Sequence, residues 1–139
     1  MSIKDLGDVN RVLVDNGYNT KLKDDFLAVD IDGFTTVLTI NEDMLNINCH
    51  LFETSALKSL DTLGELSIGL LNYNTEITPF AFGTNVDSDK ESEWDVLLTD
   101  SLATHDLSEE ELLTNVGQLE HALVVSSDFV QDFLKREGV

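Results

Sequence analysis

The sequence predicts an α+β fold in which helices pack on one face of an antiparallel sheet. Segments with helical hydrophobic spacing stand near both ends and in the middle of the chain. Between them lie short β-rich runs, two of which are separated by only an Asp-Gly pair. The predicted element order is α-β-β-β-α-β-β-α. A length of 139 residues suits a single domain covering residues 1–139.

The first helix is expected over residues 3–16. Ser2-Ile3-Lys4-Asp5 has the form of a capping box in which aspartate replaces glutamate. Apolar residues then recur at helical spacing as far as Leu13. Asn16-Gly17 predicts the end of the helix, because glycine adopts the left-handed cap conformation at little cost.

The stretch VDIDG, residues 29–33, has two interpretations, a calcium loop or a hairpin turn. An EF-hand with Gly33 at its sixth position would begin at Ala28 and end at Thr39. Neither of these residues supplies the carboxylate that the calcium site requires. Asp32-Gly33 instead has the two-residue length and the composition of a type I′ turn. We therefore predict a hairpin and no metal.

The hairpin register places Ile31 opposite Phe34 and Leu27 opposite Leu38. A third strand, residues 45–52, is expected after a turn at residues 41–43. The apolar residues of the three strands share one face, on which helices should pack. This face consists of Leu27, Val29, Ile31, Phe34, Leu38, Leu45, Ile47 and Leu51.

The opposite face of this sheet mixes apolar and polar residues, which predicts a binding surface. Phe26, Val37 and Phe52 are its candidate partner-binding residues. An extended segment of a partner could add to a sheet edge and seat alternate side chains against them. In the alternative interpretation, Phe26 and Phe52 are covered by loops or by a second subunit.

The second helix is expected over residues 54–72, and its leucines surround much of its circumference. A helix that is apolar on several sides is usually buried on several sides. Two arrangements satisfy this pattern: a central helix within one subunit, or a helix shared across a homodimer interface. The candidate interface residues are Leu63, Gly64, Ser67 and Leu70, since small residues allow another backbone to approach closely.

Two further strands are expected after this helix. Pro79 should open the first of them together with Phe80, because its missing N–H suits the first position of a strand. The second should begin at Trp94. The charged loop between them, residues 86–93, could gather a cation weakly or simply be solvated.

Ser108-Glu109-Glu110-Glu111 is a capping box and predicts the start of a long final helix. Cations suit its carboxyl end, where Lys135 and Arg136 stand. Its apolar stripe consists of Leu112, Val116, Leu119, Leu123, Val130 and Phe133.

No catalytic or metal-binding motif is present in the sequence. Cys49 and His50 are neighbours on a predicted strand, so their side chains point to opposite faces and cannot chelate together. Cys49 is expected to be a small core residue, and His105 and His121 lack partners at metal-ligand spacing. Phosphate loops, nucleophile elbows and HExxH motifs are missing from the sequence. No catalytic residue, metal ligand or cofactor is predicted, and the chain is not expected to be an enzyme.

The chain is strongly acidic, with 27 Asp and Glu residues against eight Lys and Arg residues, a formal net charge of −19. Such a balance argues against direct binding to nucleic acid or to an anionic membrane surface, and it leaves a basic protein or peptide partner open. No run approaches the roughly 18 apolar residues of a membrane span. With one cysteine and no apolar leader, the expected location is the cytoplasm.

The element order, length and acidity resemble those of class I type III secretion chaperones. That resemblance implies a small acidic homodimer that holds an extended segment of a client protein. The stretches LNYNTEITPFAFG (Leu71 to Gly83) and DLSEEELLTNVGQLEHAL (Asp106 to Leu123) resemble the YjfI-like family of uncharacterised bacterial proteins. This second resemblance implies a link to envelope stress and supplies no catalytic residues.

The sequence therefore favours a non-catalytic protein-binding module, a dimeric chaperone-like or adaptor-like protein. Two alternatives stay open at this stage. One is an enzyme that uses carboxylates in a cleft, and the other is an acidic mimic of nucleic acid that inhibits a basic protein.

Overall fold

The computed structural model describes residues 3–53, 60–85 and 95–136, and it confirms the predicted α+β class. A six-stranded sheet has the strand order β1-β2-β3-β4-β6-β5. The structure contains one strand, β1, that the sequence analysis did not predict. The elements are α1 (Leu6–Asp15), β1 (Asn19–Leu22), β2 (Leu27–Ile31), β3 (Phe34–Asn41), β4 (Met44–Glu53), α2 (Leu60–Tyr73), β5 (Ala81–Asn85), β6 (Asp95–Ala103) and α3 (Glu109–Arg136).

The chain divides into two compact units, and each is described by itself. The first unit comprises Met1–Cys49 and Thr99–Gly117. The second unit comprises His50–Leu98 and Gln118–Val139.

Helix α1 in the first unit begins three residues later than predicted. Its N-cap is Asp5, whose Oδ1 accepts a hydrogen bond from the Asp8 N–H at 2.8 Å. The Asp8 side chain also stabilises this end of the helix, because its Oδ2 accepts a hydrogen bond from the Lys4 N–H at 3.0 Å. Ile3 lies outside the helix, and its N–H donates to the Leu107 carbonyl at 2.8 Å. The predicted stop is confirmed, with φ of +90° at Gly17.

The stretch VDIDG closes a hairpin, as predicted. Asp32 and Gly33 have φ values of 52° and 88°, the two positive values that a type I′ turn requires. The Asp30 carboxylate accepts from the Gly33 N–H at 2.8 Å and braces the turn. The predicted register is also confirmed, because Ile31 pairs with Phe34 and Leu27 with Leu38.

The next turn is tighter than the predicted turn at residues 41–43. Asn41 pairs with Met44, and the two residues between them, Glu42 and Asp43, have φ values of 52° and 63°. A glutamate at positive φ is uncommon. Pairing of the long strands β3 and β4 therefore holds a turn that its residues do not favour on their own.

Strand β1 pairs antiparallel with β2, with Asn19 opposite Asp30 and Leu22 opposite Leu27. Its sequence, NTKL, contains one apolar residue and no alternation, which explains why the hydrophobic pattern missed it. The Thr20 hydroxyl donates to the Asn10 side chain of α1 and ties this strand to the helix.

One face of the sheet in the first unit forms its core, as the alternation predicted. Burial of an aliphatic side chain stabilises the fold by about 1.5–3 kcal/mol. Helices α1 and α3 add further apolar residues to the buried set. The buried residues include Leu27, Val29, Ile31, Leu38, Leu45, Ile47 and Cys49 from the sheet, with Val9, Val12, Leu13, Leu112 and Val116 from the helices.

The second unit has its own hydrophobic cluster, which joins α2, β6 and the end of α3. Gly69 of α2 is essential to this packing, because a Cβ there would overlap the ring of Phe129. That ring lies 4.9 Å from the Tyr73 ring, centroid to centroid. The buried members are Leu66, Leu70, Val96, Val130 and Phe133, and Leu51, Phe52, Phe82 and Phe129 pack against them while partly exposed.

Strand β5 begins at Ala81, so the prediction that Pro79 and Phe80 open it was wrong. Pro79 instead lies in a turn and follows a cis peptide bond. The Phe80 N–H donates to the Ile77 carbonyl at 2.9 Å, so the turn uses this group before the strand starts. The loop over residues 86–93 and Trp94 lie outside the described residues.

Helix α3 begins at the predicted capping box. The Ser108 hydroxyl accepts from the Glu111 N–H at 3.1 Å and donates to the Glu111 carboxylate at 3.2 Å. All six residues of the predicted apolar stripe are buried. Among the described residues, no helix combines the length and the apolar character needed to cross a membrane.

A candidate protein-binding face

The sheet face of the first unit that lies opposite the core is the candidate functional site, and we call it the outer face. Strand alternation assigns its residues, because paired residues of neighbouring strands point the same way. All of them keep some exposure to solvent. The outer face consists of Ala28, Asp30, Thr35, Val37, Thr39, Asn46, Asn48, Thr99 and Ser101.

Val37 lies near the middle of the outer face. It pairs with Ala28 on one side and with Asn48 on the other. All three side chains are half-buried, so an apolar spot is open to solvent between polar neighbours. This placement agrees with the mixed surface expected from the sequence.

Two hydrogen bonds fix the polar part of the outer face. The Thr99 hydroxyl donates to Asn48 Oδ1 at 2.9 Å. The Ser101 hydroxyl donates to Asn46 Oδ1 at 2.8 Å. Both bonds join β4 to β6 and hold the two amides in defined orientations. A partner would therefore meet an ordered polar surface, which lowers the entropy lost on binding.

A shallow groove of about 330 Å³ runs along the β1 side of this face. Its charged residues are Lys21 and Asp30, so the groove offers both signs of charge. Ala28 and Thr35 join the groove to the rest of the outer face. Because the groove is shallow, it can seat a side chain of an extended segment that lies across the face.

The terminal strands of the sheet are protected against edge pairing. Strand β1 has only four residues and carries the exposed Lys21, two features that discourage the addition of another strand. At the other end, the Phe82 N–H of β5 donates to Asn74 Oδ1 at 3.0 Å. Because this group is engaged by a side chain, it is not offered to an incoming strand. The face is thus a better docking surface than the edges.

The three predicted partner-binding residues have different environments. Val37 lies on the outer face. Phe26 is exposed just before β2, where its carbonyl accepts from the Lys23 N–H at 2.9 Å. Phe52 belongs to the second unit and packs, partly buried, against the hydrophobic cluster there. Its ring therefore has a structural role within this chain.

The predicted dimer-interface residues on α2 are only partly described. Leu70 is 5% exposed and belongs to the cluster of the second unit. The side chains of Leu63, Gly64 and Ser67 lie outside the described part of the chain. Sequence analysis did not single out Ile68 and Leu71, which are the most exposed large apolar residues among the α2 side chains that the structure describes.

Cys49 is buried in the first unit, as predicted for a small core residue. Burial raises the pKa of the Cys49 thiol, and the neighbouring Thr36 hydroxyl partly opposes this rise. Among the described residues, the buried Thr36 hydroxyl has no partner for a hydrogen bond of good geometry. A thiol with a raised pKa is a poor nucleophile at neutral pH.

His105, a histidine beside an acid, lies at the surface of the first unit. His105 Nε2 lies 3.2 Å from the Asp106 carboxylate, and both side chains are almost fully exposed to water. Within the described residues, no group of three His, Cys, Asp or Glu side chains is arranged to hold a metal ion.

Comparison with known proteins extends the description of the fold. No family model and no curated protein matches the chain. An uncharacterized protein from Methanothermobacter thermautotrophicus has a similar structure, with a TM-score of 0.63 and 14% identity over 89% of this chain and 94% of that one. YbjN from E. coli, a proposed transcription regulator, is similar with a TM-score of 0.68 and 12% identity over 91% of this chain and 93% of that one. At these identities the likeness concerns the fold.

Proposed function

We propose that this protein is a non-catalytic adaptor that holds a segment of a partner protein on the outer face. The observation that carries the proposal is the half-buried apolar spot around Val37, which stays open to solvent among ordered polar groups. Such a combination is typical of protein-binding surfaces, where apolar contacts supply affinity and fixed polar groups supply specificity.

The charge of the chain supports a basic partner. With a formal net charge of −19, the protein attracts cationic segments over a distance of about one Debye length, roughly 8 Å at physiological salt. On the outer face itself, the Asp30 carboxylate can receive a lysine or an arginine. The same charge opposes direct contact with nucleic acid, so any regulatory role would act through a bound protein.

A chaperone-like role in the cytoplasm is the form of this function that the sequence resemblances support. The resemblance to class I type III secretion chaperones would make the partner a client segment. The resemblance to the YjfI-like family would connect that client to envelope stress. YbjN is described as a proposed transcription regulator, and an adaptor that sequesters another protein is compatible with regulation.

A substitution on the outer face tests this proposal. Val37→Glu places a charge at the centre of the apolar spot, whereas Val14→Glu makes the same change at an exposed valine of α1. Tagged wild-type protein and both variants are used to capture partners at low and high salt, after circular dichroism has shown that all three fold. We expect a stoichiometric partner that is retained by Val14→Glu and lost from Val37→Glu.

Two results would count against an adaptor that works through the outer face. Capture of no stoichiometric partner at either salt concentration would remove the basis for a binding role. A partner that survives Val37→Glu but is released by salt alone would indicate binding by charge, as expected for a mimic of nucleic acid.

A further inference from the structure

Helix α2 of the second unit carries an apolar surface that we call the α2 stripe, which consists of Ile68 and Leu71. Their side chains are 73% and 64% exposed, although both are large and apolar. They are three residues apart, so they lie on neighbouring turns of one side of the helix. The buried Leu66 and Leu70 anchor the other side of α2. The helix therefore presents two apolar side chains to solvent from a fixed support.

The support beneath the stripe is tightly packed. Gly69, between the two exposed residues, lets the Phe129 ring of α3 lie directly against the α2 backbone. Phe129 in turn contacts Tyr73 at the end of α2 and Phe133 further along α3. A rigid support matters for recognition, because little conformational entropy remains to be lost when a partner binds.

The charges around the stripe define what can cover it. Residues 66–75, LSIGLLNYNT, contain no charged side chain. Exposed carboxylates stand at both ends of this stretch, Glu65 one turn before Ile68 and Glu76 just after the helix. The stretch thus has no charge of its own, two exposed large apolar side chains, and an exposed carboxylate at each end.

A second copy of the chain fits this pattern poorly. A two-fold contact brings the same patch of both copies together. If the two α2 helices ran antiparallel with the axis between Ile68 and Leu71, Glu65 of one copy would face the Glu76 turn of the other. If they ran parallel, each glutamate would face its own counterpart. Both arrangements oppose like charges, in a protein that already carries a net charge of −19.

We propose that the α2 stripe docks an amphipathic helix of a partner protein that has apolar residues spaced by three or four positions and basic residues at both ends. Its apolar side chains cover Ile68 and Leu71, and its lysines or arginines pair with Glu65 and Glu76. This is the helix-on-surface mode of recognition, in which spacing of apolar anchors supplies affinity and flanking charge supplies selectivity.

Two synthetic peptides of about 15 residues test this assignment, a length at which a helix-favouring sequence becomes helical. Both carry the same leucine pair at helical spacing, one with lysines at its ends and one with glutamates. Binding to the full chain is measured by fluorescence anisotropy at 0.05 and 0.5 M salt. The variants are Ile68→Ser/Leu71→Ser, Glu65→Gln/Glu76→Gln and, as a matched control, Val124→Ser at an exposed valine of α3.

We expect the lysine peptide to bind and the glutamate peptide not to bind. Affinity for the lysine peptide should fall at least about tenfold in the Ile68→Ser/Leu71→Ser variant. It should also fall when salt is raised and in the Glu65→Gln/Glu76→Gln variant. In Val124→Ser it should stay unchanged. Because these side chains are exposed, the variants should keep the wild-type melting temperature, which is checked first.

Three results would overturn the assignment. The first is equal affinity for the two peptides, and the second is lysine-peptide binding that the Ile68→Ser/Leu71→Ser variant retains. The third is a wild-type homodimer in sedimentation that the Ile68→Ser/Leu71→Ser variant dissociates, which would show that a second copy covers the stripe. None of these results depends on Val37, so the outer-face proposal stands or falls separately.

Discussion

Gly69 shows how one residue can decide the packing of a helix. Glycine inside a helix costs about 1 kcal/mol relative to alanine, so the sequence pattern marks it as a weakness. The structure gives the reason for it, since the Phe129 ring occupies the space in which a Cβ would lie. Small residues in this helix were predicted to admit a close neighbour, and at Gly69 that neighbour comes from the same chain.

Gly69→Ala should destabilise the protein. The added methyl group overlaps the Phe129 ring, which contacts Tyr73 and Phe133, so the ring or the helices must shift. Overpacking of this kind costs about 1–3 kcal/mol and outweighs the gain in helix propensity. Urea unfolding measures the change. Gly117→Ala is the matched control, because no atom lies within 4 Å of its added Cβ, and it should stabilise by about 0.5–1 kcal/mol.

Cys49 should make stability depend on alkaline pH. Burial raises the pKa of its thiol above the value of about 8.5 in an unfolded chain. The unfolded state therefore loses the thiol proton first, so this contribution to stability is complete below about pH 8.5 and declines as the pH rises further. The free energy of unfolding, measured in urea with a reductant from pH 7 to pH 10, should fall more steeply for the wild type than for Cys49→Ala. Parallel curves for the two proteins would contradict this.

At the level of helices and strands, the predicted start of a helix was correct for α3 and three residues early for α1. Helix α1 is capped by Asp5, after the predicted capping box begins, and Ile3 ahead of the cap bonds through its N–H to Leu107. At α3 a single capping pattern exists, and the predicted start was correct. Local patterns therefore predict a boundary well where no distant contact competes with them.

Ser108→Ala should weaken α3 at its start. The hydroxyl is the acceptor for the Glu111 N–H, and loss of such an N-cap typically costs about 1 kcal/mol. Thermal or urea unfolding would detect this loss. Ser108→Asp keeps an acceptor at the same position and should retain most of the stability. If the alanine and aspartate variants were equally stable, the cap would contribute little to the fold.

For the molecule as a whole, charge is the dominant feature of the surface. A net charge of −19 on 139 residues opposes folding by self-repulsion, because folding brings the carboxylates closer together. The described structure contains few lysines and arginines that could offset this repulsion. One ion pair joins Arg11 to Asp8 at 3.5 Å on the surface of α1. Exposed pairs of this kind contribute little to stability.

Salt should therefore stabilise the folded protein. Raising sodium chloride from 0.05 to 0.5 M screens the repulsion, and each 1 kcal/mol gained would raise Tm by about 4 °C. Differential scanning calorimetry measures the effect. Choline chloride at the same ionic strength should give the same increase, because screening does not depend on the identity of the cation. A rise with sodium alone would indicate specific ion binding instead.

The periodicity of apolar residues was enough to predict the α+β class, the Asp32-Gly33 hairpin with its register, and the buried stripe of α3. These features depend on contacts between residues close in sequence, or on one face being buried, and both leave a pattern in the sequence. The same alternation identified the outer face around Val37, since its polar and apolar residues share one side of the strands.

Tertiary packing alone decided the remaining features. Strand β1 carries no apolar alternation, and its conformation comes from pairing with β2. Leucines and isoleucine lie all around α2, so the sequence could not tell that Leu66 and Leu70 face the core while Ile68 and Leu71 face solvent. Phe52 alternates like a residue of the outer face, yet it packs against the second cluster. For α2 and Phe52 the deciding contacts join residues far apart in the chain, and such contacts leave no local pattern. Strand β1 pairs with a nearby strand through backbone groups, which apolar alternation does not record.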